Sequence, residues 1–135
     1  MRVDDDKIVL IGHSLGGNFV MYYLLQSYEE EKLQISNFIA ASPPVEADTM
    51  LLFKLERRLK IGKSIPFTLY ASRGSMDVDS ASGKNYLNEF GEQMREHQYP
   101  GAKTRFVEYG NFEHMDAATP GFVKGLIFIF SQPPN

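Results

Sequence analysis

The sequence predicts an α/β fold, a parallel sheet of about four strands with helices on both faces. Three observations lead there. Short apolar runs alternate with segments of helical period, the connections between them are short, and the 135 residues contain no internal repeat or interdomain linker. Parallel neighbours need a crossover rather than a tight turn, so strict alternation implies strands side by side with the helices packed over them.

The elements follow in order. Lys7-Ile8-Val9-Leu10-Ile11 is a short, β-branched run ending at Gly12, which predicts a strand buried on both faces. From Leu15 to Tyr28 the apolar residues Phe19, Val20, Tyr23 and Leu24 recur at helical spacing, until Glu29-Glu30-Glu31-Lys32 ends the pattern. Asn37-Phe38-Ile39-Ala40-Ala41 reads as a second strand stopped by Pro43-Pro44. Met50, Leu51, Leu55 and Leu59 mark a second helix. Residues 66–71 form the expected third strand, 83–98 the third helix and 105–109 the fourth strand. Thr119 is placed to cap a last helix with Pro120 at its first position, where a missing N–H is harmless.

Composition narrows the function classes. With 43% hydrophobic and 23% charged residues and no cysteine, the chain can bury one core and needs no disulfide framework. A single domain over residues 1–135 is expected. The net charge of −3 comes from interspersed signs apart from Asp4-Asp5-Asp6 and Glu29-Glu30-Glu31, so no basic face suits a nucleic acid. No apolar run approaches the ~20 residues of a membrane span, and no signal-peptide pattern opens the chain; the expected location is cytoplasmic. No metal-ligand cluster or nucleotide-binding loop is evident, and no cofactor is expected.

In parallel sheets of this kind ligands bind beyond the carboxyl ends of the strands. Chemistry is therefore expected in residues 12–17, 42–45, 72–79 and 110–116. The first of these stretches is Gly12-His13-Ser14-Leu15-Gly16, a G-x-S-x-G pattern between a predicted strand and a predicted helix, which is the context of a nucleophile elbow. Such a turn strains the serine backbone and projects its hydroxyl above the sheet, with glycines on either side allowing strand and helix to approach. The Leu15 N–H at the helix N-terminus is then placed to stabilise an oxyanion.

A serine hydroxyl needs a base, usually histidine. His114 follows the fourth strand on the functional edge, whereas His13 reads as packing or lining the site wall and His97 as a helix-end residue. The orienting acid is expected beyond the third strand, where Asp77 completes a Gly-x-x-Asp turn; Asp79 is the alternative. Glu113 and Asp116 lie too close to His114 in sequence and read as solvated charges.

Gly-His-Ser-Leu-Gly-Gly at 12–17, Ile-Ala-Ala-Ser-Pro at 39–43, Gly-Ser-Met-Asp at 74–77 and Glu-His-Met at 113–115 together resemble the α/β-hydrolase esterases that include siderophore esterases and esterase D type enzymes. The resemblance runs from about residue 7 to the last helix. It implies a serine hydrolase of carboxylic esters acting through an acyl-enzyme, with Ser14 as nucleophile and His114 as base. The same triad could serve an acyltransferase, or a half-domain inert without a partner. Family members often carry a tryptophan-rich segment after Ser-Pro, where this chain has Pro44-Val45-Glu46-Ala47-Asp48 and no tryptophan at all.

The fold normally opens with further strands before the elbow, so the chain matches its C-terminal half, with the N-terminal half absent. Two expectations follow. The first strand offers an unpaired edge, with Val9, Leu10 and Phe19 exposed beside it. The chain is then expected as a homo-oligomer or paired with a polypeptide that supplies the missing strands, in addition to binding a small-molecule ester.

Overall fold

The computed structural model describes residues 4, 7–77 and 85–133, excepting the side chains at 47 and 49. Four strands, β1 (Val9–His13), β2 (Asn37–Ala41), β3 (Phe67–Gly74) and β4 (Ala102–Tyr109), form one sheet in the order β1-β2-β3-β4. Every pair is parallel, with Val9 opposite Asn37, Asn37 opposite Thr68 and Phe67 opposite Ala102. The returns are α1 (Leu15–Glu29), α2 (Thr49–Ile61) and α3 (Tyr86–His97), and α4 (Ala118–Phe130) closes the chain.

Both faces are covered, unequally. Val20, Met21, Leu24, Leu51, Leu55, Phe90 and Met94 from α1, α2 and α3 pack on Phe38, Phe67 and Leu69 to make the main core. Among the described residues the opposite face carries α4 alone, whose Phe128 and Ile129 meet Ile39 and Tyr70. This division follows from crossover handedness, since same-handed returns between strands added in one direction all fall on the same face. Helix α4 lies close because it presents glycines to the sheet. A Cβ on Gly121 would come within 2.7 Å of Ser72 Oγ, and one on Gly125 within 2.8 Å of Ile39 Cδ1.

Several sequence expectations are corrected here. β1 lies two residues later than expected and is an edge strand, half-buried rather than buried on both faces. Leu10 packs against the main core and Val9 against the smaller one, so neither joins the exposed patch; the exposed apolar residues on β1 and the first turns of α1 are Ile11, Leu15 and Phe19. β3 runs on past its apolar run because Ser72, Arg73 and Gly74 pair with Val107, Glu108 and Tyr109, and β4 begins three residues early because Ala102, Lys103 and Thr104 pair with Phe67, Thr68 and Leu69. A short 3-10 helix, Val45–Asp48, follows Pro43-Pro44. Thr119 is not the cap of α4, which begins at Ala118 after Ala117 with no side-chain capping bond. The turn over 113–117 winds directly into the helix through Ala117 N–H to Glu113 O at 3.1 Å, so helical geometry begins before Thr119.

Tyr28 anchors the far end of α1. Its hydroxyl donates to the Ile65 carbonyl at 2.8 Å, and burial pushes its pKa up to about 12. The folded pKa lies above the unfolded value near 10, so this contribution to stability is complete below pH 10 and is lost as pH rises towards 12. We expect alkaline unfolding to steepen across that interval in wild type and to be shallower in Tyr28→Phe, as read from denaturant midpoints at successive pH values.

Candidate active site

The four strand ends lie along one edge, and each contributes a segment to the same region. Ser14 joins β1 to α1 with φ 57° and ψ −124°, a conformation costly for a residue with a Cβ. Gly12 permits it, because a Cβ there would collide with the Gly16 carbonyl. On the helix side the close approach falls to Gly17, whose Cβ would meet the Ala41 carbonyl oxygen at 3.0 Å and Pro43 at 3.2 Å, while Gly16 faces open space. The Ser14 N–H donates to Ala41 O at 2.9 Å, tying the turn to the end of β2. Ser14 Oγ caps no helix N–H, so its hydroxyl is not engaged by its own helix.

β2 ends at Ser42, a second non-glycine residue at positive φ (45°), whose N–H donates to Ser72 O at 2.6 Å. The turn redirects the chain outward through Pro43-Pro44, and Asn18 Nδ2 of α1 donates to the Pro44 carbonyl at 3.1 Å.

β3 and β4 bring the remaining two segments into contact. The Ser75 N–H donates to Tyr109 O (2.8 Å), the Met76 N–H to Phe112 O (3.0 Å) and the Asn111 N–H to Ser75 Oγ (2.8 Å). Gly74 makes this possible, since a Cβ there would overlap the Phe112 carbonyl. Across that junction His114 Nδ1 lies 2.9 and 3.0 Å from the two Asp77 carboxylate oxygens. With Nδ1 as the donor, Nε2 is left as the free basic nitrogen.

His13 meets the same group from the elbow. Its Nε2 donates to the His114 carbonyl at 2.9 Å, and the two imidazole rings are 4.7 Å apart. His114 thus rests against the residue preceding Ser14. His97 is far from this edge: its Nδ1 donates to Gln93 O at 3.0 Å and its ring stacks on Tyr99. Glu113 and Asp116 are exposed. Asp79 lies outside the described residues.

A chain of hydroxyls supports the β4 side from below. Tyr109 donates to the Pro120 carbonyl at 3.2 Å, which leaves Tyr70 to donate to Tyr109 at 2.6 Å. Burial, then this hydrogen bond, drives the Tyr70 pKa well above the usual phenol value. Tyr70 therefore stays a neutral donor at ordinary pH.

Sequence reasoning did not single out Arg73. It lies at the end of β3, 6% exposed, behind Asp77, and donates from Nη2 to the Asp77 carbonyl at 2.5 Å. The available signal was an arginine continuing an apolar strand, a place where a cation is costly unless paired.

The four parallel strands with alternating helices are those of the C-terminal half of an α/β-hydrolase fold. The chain belongs to the family described as "Protein of unknown function (DUF1749)", whose profile matches residues 2–116. Curated protein sequences give no match. Among solved structures, the chain is similar to the siderophore hydrolase EstA from Aspergillus nidulans, with TM-score 0.70 and 19% identity over 92% of this chain and 49% of that one. It is similar to the BES protein from Bacillus cereus, with TM-score 0.73 and 24% identity over 93% and 47%. The IroE-like serine hydrolase from Shewanella oneidensis gives TM-score 0.73 and 19% identity over 87% and 38%. At these identities the likeness establishes the fold, and the chain spans half or less of each of these structures.

The Gly74 junction yields a test. Gly74→Ala forces Phe112 away from the end of β3, and we expect a loss of about 1–3 kcal/mol, typical of overpacking. The same displacement separates His114 from Asp77. Chemical denaturation together with the imidazole proton resonances would register both effects.

Proposed function

We propose that this chain carries the catalytic half of a serine hydrolase acting on carboxylic esters, with Ser14 as nucleophile, His114 as general base and Asp77 as the orienting acid. The observation that carries the reading is the paired contact of the Asp77 carboxylate with His114 Nδ1, formed against an elbow that holds Ser14 at positive φ. Each part has a chemical use. Asp77 fixes the tautomer that leaves Nε2 able to accept the Ser14 proton, and it stabilises the imidazolium that results.

In this mechanism Ser14 Oγ attacks the ester carbonyl carbon while its proton passes to His114. Collapse of the tetrahedral intermediate breaks the bond to the alkoxy oxygen, which takes the proton and leaves as the alcohol. Water, deprotonated by His114, then attacks the acyl-Ser14 ester and releases the carboxylic acid. The Leu15 N–H is one of the donors that a helix N-terminus leaves unpaired, and it serves the oxyanion of both intermediates.

We further propose that β1 pairs with strands supplied by the remainder of the fold, whether covalently continuous or on a separate polypeptide, or failing these with β1 of a second copy. Its outer side has no partner strand in the described sheet, and Ile11 on the strand and Leu15 and Phe19 on the following helix are exposed. An apolar group next to an open strand edge favours cover. A second copy would run its β1 antiparallel about a two-fold axis. Light scattering of the isolated 135-residue chain is expected to give a dimer or larger species. A stable monomer at micromolar concentration, with β1 protected from hydrogen exchange, would defeat this part.

Ser14→Ala is expected to abolish turnover of short p-nitrophenyl esters and labelling by fluorophosphonates, with folding nearly unchanged. A variant retaining a large share of the wild-type rate excludes Ser14. Asp77→Asn is expected to lower kcat by about 10⁴-fold, the loss that follows when the equivalent carboxylate of serine proteases is neutralised. A large loss in Asp79→Asn with a minor one in Asp77→Asn would move the acid to Asp79.

A further inference from the structure

We infer that Arg73 is a positioning residue for the acid, acting on the reaction through Asp77 alone; the inference rests on the proposed role of Asp77. A guanidinium 6% exposed must be compensated by hydrogen bonds and opposite charge, or its desolvation would cost several kcal/mol. Arg73 meets that demand with groups from separate segments. Nη2 donates to the Asp77 carbonyl at 2.5 Å and Nε to the Gly74 carbonyl at 3.3 Å. Nη1 lies 3.9 Å from Glu46 Oε1 in the short helix after β2, and Nε lies 3.8 Å from Glu108 Oε2 on β4. Glu108 in turn accepts from Asn85 Nδ2 at 3.0 Å and Asn88 Nδ2 at 3.3 Å at the start of α3. One planar fork therefore ties together the segment after β2, the end of β3, β4 and the start of α3.

Asp77 is the residue this fork fixes. Backbone bonds hold its neighbours Ser75 and Met76 to the β4 loop, and the Asp77 N–H returns to Gly74 O at 3.2 Å. The guanidinium holds the Asp77 carbonyl, so both backbone polar groups of Asp77 are referred to the end of β3. The origin of the carboxylate is thereby set, and His114 takes its orientation from it. A small cavity of about 40 Å³, lined by Ser42, Glu46, Arg73, Asp77 and His114 among others, places Arg73 behind this pair. Lysine cannot substitute fully, because a single ammonium lacks the geometry to reach carbonyl and carboxylate partners in several directions.

The test is a double-mutant cycle in the full-length protein. Arg73→Gln, Arg73→Lys and Asp77→Asn are compared singly and combined, with kcat and KM measured on p-nitrophenyl acetate, and the His114 Nδ1 proton followed by NMR. We expect Arg73→Gln to lower kcat roughly 10²-fold with KM nearly unchanged, the scale of an ångström-sized misplacement. Arg73→Lys should recover part of that loss. In the Asp77→Asn background Arg73→Gln should change kcat by no more than a few fold, and the low-field Nδ1 proton should weaken in Arg73→Gln as it does in Asp77→Asn. An equal loss in both backgrounds, an effect confined to KM, or unchanged kcat in a folded Arg73→Gln protein would overturn the inference. If thermal unfolding finds Arg73→Gln unfolded, Arg73→Lys carries the same cycle. Near-wild-type turnover in Asp77→Asn alone would instead remove the role of Asp77, and this inference with it.

Discussion

A parallel strand pair cannot be closed by a tight turn, and most of this molecule follows from that constraint. Each strand must return over the sheet through a helix before pairing again, so all four strands point the same way and all four carboxyl ends meet at one edge. Ser14, Ser42, Asp77 and His114 come from four distant places in the chain, yet each lies just beyond a strand end. Nothing else needs to gather them. α1, α2 and α3 contribute the apolar residues that pack on the sheet to make the main core, and the ladder between strands sets how far apart the strand ends stand.

That edge is assembled by backbone contacts more than by side-chain packing. Gly12 and Gly17 let the elbow close onto β2, and Gly74 lets the loop after β3 lie against the loop after β4. Of the side chains at positive φ on this edge, Ser14 and Ser42 have the N–H secured to a neighbouring strand carbonyl, while Asn111 has it secured to Ser75 Oγ. The strain is therefore held between paired strands, which is where a fold can best sustain it.

How much was legible in the sequence depended on whether the deciding interaction was local. β2 matches its expected bounds because a strand buried on both sides is a continuous apolar run, and α1 begins where the glycine pattern requires. The ends of β3 and β4 were missed for the opposite reason: Arg73 and Lys103 are polar, and only pairing across the sheet draws them into strands. Phe19 fits a helical period yet faces outward, since period alone does not say which side the sheet lies on. At the site, the positions of Ser14, Asp77 and His114 could be read from strand ends. The contact of His13 with His114 and the hub at Arg73 could not, because they arise from residues brought together by crossovers.

Helix α4 meets the sheet through Gly121 and Gly125, one turn apart, with the Cβ sites already filled by Ser72, Ala41 and Ile39. At these two positions the separation of helix and sheet is thus set by helix main chain lying directly on strand side chains. The turn carrying His114 runs without interruption into that helix. The imidazole consequently inherits a rigid reference on the side of the sheet away from the main core. Repacking among Leu24, Leu55 and Phe90 alters the volume of the main core on the other face, so it can reach the imidazole only from the side of Asp77 and not through α4.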